Sequence, residues 1–189
     1  MASLAYGRWQ TERRNRLDDI VRIGVTAGSA GERVRWSRVV LLAAEFQGFA
    51  RDLHDEAGVI FAKEAANGNS ELESVLRARL TVGRQLARGN ATPRNLGSDF
   101  LMLGVSIWDE LRLRGEDAAG LDGVLNSLNA ARNAVAHSNT VAIDGMKISE
   151  NKVTHWHRSV DMLAERMEDV VMDHLADMFG LSDPWRSDG

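Results

Sequence analysis

The feature that most constrains the fold is an unbroken helical period between Trp36 and Ala66. Val39, Leu42, Phe46, Phe49, Ala50, Leu53, Ala57, Ile60 and Phe61 recur on one stripe, so the spacing predicts a single long helix with an apolar face to bury. Most of the remaining chain reads as helix too. Proline occurs only at Pro93 and Pro184, and runs of β-branched residues are few. A first helix is expected from about Ser3, its N-cap, to Arg22, followed by a loop over 24–31. Asn67-Gly68-Asn69 ends the long helix, and Ser70 with Glu73 forms a capping box for a third helix reaching Arg88. That helix would bury Leu72, Val75, Leu76, Leu80 and Leu86.

A loop over 89–97 then leads into a fourth helix, Asp99 to Leu113, capped by Ser98, with Phe100, Leu101, Gly104, Ile107, Trp108 and Leu111 turned inward. After a break at 115–120 a fifth helix covers Leu121 to Ala136. Val141 to Ile148 carries Asp144-Gly145 between two short apolar runs, which predicts a small β-hairpin. A final helix, Thr154 to Phe179, aligns Trp156, Val160, Leu163, Met167, Val170, Val171, His174 and Met178. The expectation is an all-α bundle of about six helices in one domain over 1–180, with a hairpin after the fifth helix and a loose tail over 181–189.

At 189 residues the chain is long enough for a substantial core. It has no cysteine, which removes disulfides and thiolate metal sites. It has no membrane-length apolar run and no signal-peptide core, so a soluble cytoplasmic protein is expected. The net charge of −4 conceals an asymmetry: residues 1–94 hold 15 Lys and Arg against 11 Asp and Glu, and residues 95–189 hold 8 against 16. One half could present a basic face, or the halves could complement each other.

The fifth helix ends in Arg132-Asn133-Ala134-Val135-Ala136-His137. Its apolar stripe is Leu121, Val124, Leu125, Leu128, Ala131 and Val135, and Arg132 falls about 20° from Leu121, near the middle of that stripe. A guanidinium there needs a buried carboxylate, a partner subunit or an anionic ligand. Histidine is the side chain suited to proton transfer near neutral pH, and a helix carboxyl end favours a cation. On a straight helix Arg132 and His137 point about 140° apart, whereas Asn133 and His137 share a face. The pair can still cooperate if the helix stops before His137, if the arginine reaches around, or if two copies meet across a dimer. The alternative is that Arg132 pairs with a core carboxylate while His137 caps the helix.

Arg132-Asn133-x-x-x-His137, late in an all-helical domain, resembles the Arg-polar-x-x-x-His signature of HEPN domains (higher eukaryotes and prokaryotes nucleotide-binding). The resemblance implies a dimerising helical bundle acting as a metal- and cofactor-independent endoribonuclease, the toxin or effector of a prokaryotic toxin–antitoxin or defence system. Arg132 would neutralise the scissile phosphate and His137 would exchange protons, leaving a 2′,3′-cyclic phosphate. Asn133 would orient His137 or contact RNA. It implies RNA as substrate, and an antitoxin or nucleotidyltransferase-like protein as a further partner. Related toxins carry a tyrosine two positions beyond the histidine, a site of modification by such a partner; here that position is Asn139. A rival reading is a non-catalytic HEPN-like module that binds a protein or nucleotide without turnover.

Supporting residues are sought on the long helix. Glu45, Asp52 and Glu56 lie along one flank of its stripe, and His54, with Arg51 beyond, along the other. HEPN domains often direct a charged residue from an earlier helix at the Arg/His pair, so Glu45 and Asp52 are candidates to orient Arg132. Alternatively they line a solvated flank. Arg77, Arg84 and Arg88 fall within about 40° of one another on the third helix, with Arg94 following, and this ridge is a candidate RNA track. Arg8, Arg13, Arg14 and Arg16 around Trp9 form a second cluster; either set could instead pair with nearby acids. His155-Trp156-His157 is not a zinc pattern, and His174 belongs to an apolar stripe. The chain has no GxGxxG loop, Walker loop or nucleophile elbow.

Overall fold

In the computed structural model, the backbone is described for residues 1–26 and 31–186, and the side chains for 1–22 and 31–186. Every regular element among them is helical. In chain order these are α1 (Leu4–Arg8), a π-helical turn (Trp9–Arg13), α2 (Arg14–Thr26), α3 (Gly31–Ala66), α4 (Ser70–Thr81), a 3₁₀ turn (Gln85–Ala87), α5 (Pro93–Leu101), α6 (Ile107–Leu113), α7 (Ala118–Ala136), α8 (Thr140–Met146) and α9 (Glu150–Phe179).

The long helix is the axis of the fold. α3 runs for 36 residues and packs against α1, α2, α4, α5, α7 and α9. Its expected stripe is buried from Val39 to Ala57, and Ala43, Gly48, His54 and Gly58 are buried beside it. The helix is therefore enclosed on more than one side. α1 enters with Trp9 packed on Phe46 and Phe49, ring centroids 6.1 and 5.5 Å apart, and its indole Nε1 donates to Asp161 Oδ1 at 3.1 Å. Two carboxylates satisfy the free amides where α1 begins. Glu56 accepts from Leu4 N and Ala5 N, and Glu168 accepts from Ser3 N and Ser3 Oγ. Burial raises the Glu168 pKa, and the bonds from Ser3 only partly offset it.

Several boundaries depart from the sequence expectation. The expected loop over 24–31 begins with α2 still helical through Thr26, and its residues 27–30 lie outside the described residues. α4 stops at Thr81, seven residues short of Arg88, and Leu72 and Val75 face solvent. The expected fourth helix is two. α5 begins at Pro93 with Thr92 as cap, in place of Ser98, because proline suits a first helical turn. Gly104, at φ 79°, then turns the chain before α6, a conformation that side-chain-bearing residues avoid. Leu101 and Gly104, expected inward, are exposed.

The hairpin over 141–148 is not formed; that stretch is α8. Asn139 caps it by accepting from Ala142 N at 3.1 Å, and Asp144-Gly145 falls in its last turn, before Lys147 closes it in the left-handed region. Local turn preference lost to burial: the helix seats Ile143 in the core and leaves Val141 82% exposed. Of the tail expected after Gly180, Pro184 and Trp185 are buried, and the Met1 ammonium pairs with Asp183 at 3.0 Å. Residues 187–189 lie outside the described residues. No helix among the described residues is long and apolar enough to cross a membrane.

Asp99 organises the irregular segment between α4 and α5. It is 1% exposed, and its two oxygens accept from Gln85 N and Leu86 N, both at 2.8 Å. Replacing Asp99 with alanine strands two buried donors, so the expected cost is about 3 kcal/mol in urea denaturation. Faster amide exchange at Gln85 and Leu86 is expected with it. A loss below about 1 kcal/mol would contradict this role.

Candidate functional site around Arg132, Asn133 and His137

α7 buries Ala118, Leu121, Leu125, Leu128, Asn129, Ala131 and Ala134. Along its last two turns the buried side rotates to Ala131 and Ala134. Arg132, central to the stripe on a helical projection, therefore emerges partly exposed at the rim rather than in the core. Among the described residues no carboxylate lies within 4 Å of it. Among those residues its guanidinium has one hydrogen-bond partner: Nη1 donates to Asn133 Oδ1 at 3.1 Å. That bond sets Nη1 beside Asn133, whose position shares a helix face with His137. The helix ends at Ala136. His137 is its C-cap, with its backbone N–H on the Asn133 and Val135 carbonyls and its side chain exposed. No hydrogen bond joins the His137 ring to another described side chain.

A residue absent from the sequence reading completes the cluster. Asn90 Nδ2 donates to the same Asn133 Oδ1 at 2.8 Å. Asn90 lies 43 residues upstream, in the segment held by Asp99. Asn95 Nδ2 grips the Asn90 carbonyl at 2.8 Å, and Gln47 Nε2 on α3 donates to the Leu86 and Gly89 carbonyls at 3.0 and 2.7 Å. Buried Asn129 donates to the Ala91 carbonyl at 2.9 Å. No local pattern in the sequence announces this contact, because it depends on how α5 and α7 pack.

Glu45 and Asp52 are committed elsewhere. Arg13 donates to Glu45 at 2.8 Å and to Asp52 at 2.6 Å, and Arg16 binds both oxygens of Glu45. Neither carboxylate orients Arg132. Gly48 makes room for this, because a Cβ there would collide with the Arg13 guanidinium. Burial pushes the Glu45 carboxyl up, but the bonds from Arg16 and Arg13 outweigh it and hold it below the usual range. The N-terminal basic cluster is thus largely neutralised: Arg14 pairs with Asp161 at 2.8 Å, and Arg8 lies 3.8 Å from Asp52.

The basic ridge is taken apart as well. Arg77 pairs with Glu73 at 2.6 Å. With α4 ending early, Arg84 folds inward, 5% exposed, onto Asp55 and the Arg51 carbonyl. Arg88 and Arg94 are exposed, and among the described residues neither has a carboxylate within 4 Å. They flank Asn90 in sequence.

Of the other histidines, His155 is exposed, and the remaining three contact neighbouring elements or side chains. His54 is buried, edge-on to Phe100, and its Nε2 donates to the Asp99 carbonyl at 3.0 Å; burial, then nearby Arg84, lowers its pKa. His174 Nε2 donates to the Leu103 carbonyl at 3.1 Å, and His157 sits 3.8 Å from Asp161. Among the described residues no group of three His, Asp or Glu side chains is placed to hold a metal ion. A mostly apolar groove of about 600 Å³ between α2, α3 and α7 is lined by Ile20, Trp36, Val40, Leu41, Ala44 and Val135, together with Arg33 and Ser37, and it opens about one turn from Arg132. Comparison with protein-family models, curated proteins and solved structures found no match.

Arg13→Ala would strip Asp52 of its closest partner and Glu45 of one of its two, and a loss of about 3 kcal/mol is expected in chemical denaturation. Because Glu45 titrates lower in the folded chain than in the unfolded one, its contribution is present above the ordinary carboxylate range. It fades as pH falls through the depressed value. Stability measured against pH should therefore drop less on acidification in Glu45→Gln than in the parent; equal slopes would refute the assignment.

Proposed function

We propose that the chain is a HEPN-like, metal-independent endoribonuclease acting at the Arg132–His137 motif, in the manner of a toxin or defence effector. The observation that carries this reading is the Arg132 guanidinium. It has no acidic partner among the described residues and is bonded to Asn133, one helical turn before the exposed His137. A cation left without a carboxylate, with most of its donors unused, is suited to a phosphodiester. The chemistry needs no protein nucleophile. His137 takes the proton of the ribose 2′-hydroxyl, O2′ attacks phosphorus, and the P–O5′ bond breaks. A proton returns to the leaving 5′-oxygen, giving a 2′,3′-cyclic phosphate and a 5′-hydroxyl. Arg132 neutralises the charge that gathers on the phosphoryl oxygens. Arg88 and Arg94 remain as contacts for flanking phosphates, whereas Arg77 and Arg84 are bound to acids.

A homodimer belongs to the same reading. The apolar groove beside Val135 offers a surface near the motif, and a second copy there would place two motifs close together. Sedimentation velocity at micromolar concentration should show a dimer, and a persistent monomer would refute it.

The decisive experiment is cleavage of single-stranded RNA in EDTA. The parent should yield 2′,3′-cyclic ends, and both His137→Ala and Arg132→Ala should slow the reaction by at least about 100-fold. Undiminished cleavage by His137→Ala would exclude it as the proton-transfer group. Absence of cleavage by the parent, with retained binding of a nucleotide or protein, would favour a non-catalytic binding module.

A further inference from the structure

We infer that Asn90 is a positioning residue of this site, acting through Asn133 on Arg132; the inference rests on the ribonuclease reading above. The argument is one of donors and acceptors. A guanidinium can only donate, so the Asn133 atom facing Arg132 Nη1 must be Oδ1. The Asn90 atom on that same oxygen must then be its amide nitrogen, 2.8 Å away. One oxygen thus receives two donors, one from the preceding residue on the helix and one from a loop residue 43 positions upstream.

The consequence is a fixed amide. Without Asn90 the exposed Asn133 side chain is free to rotate, and an oxygen that rotates away no longer holds the guanidinium. With Asn90 in place, Asn133 keeps its oxygen on Arg132. Asn90 is itself well suited to hold still. Its backbone oxygen is gripped by Asn95 Nδ2 at 2.8 Å, and the next residue's carbonyl takes the Asn129 amide at 2.9 Å. The segment between α4 and α5 therefore serves as a brace from which one side chain reaches the motif. None of these backbone anchors uses the Asn90 side chain, so replacing it spares them.

Two variants test this in the full-length chain. Asn90→Ala removes the donor, and Asn90→Asp keeps the shape while offering Asn133 a repelling oxygen. Both should leave the melting temperature unchanged and shift the Asn133 side-chain amide and Arg132 Nε–H signals in ¹⁵N-resolved NMR. In RNA cleavage both should lower kcat by at least about tenfold while KM stays within about threefold, as expected when a group loses its orientation rather than its affinity. Parent-like NMR signals in Asn90→Asp, or a parent-like kcat in either variant of a protein that does cleave RNA, would overturn the inference. A parent that cleaves no RNA would instead overturn the reading beneath it, so the two failures are told apart.

Discussion

The structure depends on burying a single long helix without stranding its polar groups. α3 is enclosed by its neighbours, yet it carries Arg38, Glu45, Gln47, Asp52, His54, Asp55 and Glu56 within its packed length. Each of these holds a particular neighbour. Arg38 meets Glu150 at the start of α9, Glu45 and Asp52 take Arg13, and Glu56 closes the start of α1. Gln47 and Asp55 hold the segment between α4 and α5, and His54 holds α5 itself at the Asp99 carbonyl. Apolar burial supplies the drive, and these directional bonds select which helix lies on which side.

The same arrangement explains which arginines remain available. Charge pairing with α3 absorbs Arg13, Arg16 and Arg84, and local pairs absorb Arg77 and Arg112. Arg132 escapes because it lies at the end of α7, where the buried side of the helix has rotated to Ala131 and Ala134. A position central to an apolar stripe thus becomes a rim position. The site is built where helix packing loosens, and a loop braced against α3 supplies its remaining contact.

Much of the fold was legible in the residues. Apolar period alone located the long helix, the final helix and the helix that ends at Ala136, because such periods leave few alternatives once burial is required. The first helix was legible as well, although its π-helical turn was not. Reading failed where a local preference competed with packing. Asp144-Gly145 favours a tight turn, but Asn139 capping and the burial of Ile143 favour a helix. The arginine spacing on the third helix implied a ridge only if that helix continued to Arg88, and Asp99 instead draws the chain at Gln85 and Leu86 into a different path.

By itself, then, the sequence determined an all-helical chain, the axis of its core, and the placement of an arginine, an asparagine and a histidine at one helix end. Those properties follow from spacing along the chain, which repeats and caps encode directly. The tertiary structure decided the rest: that Glu45 and Asp52 serve Arg13, that Arg84 is buried, and that Asn90 meets Asn133. Such pairings join residues tens of positions apart, and they exist only once helices have packed and buried polar groups have found the partners that burial demands.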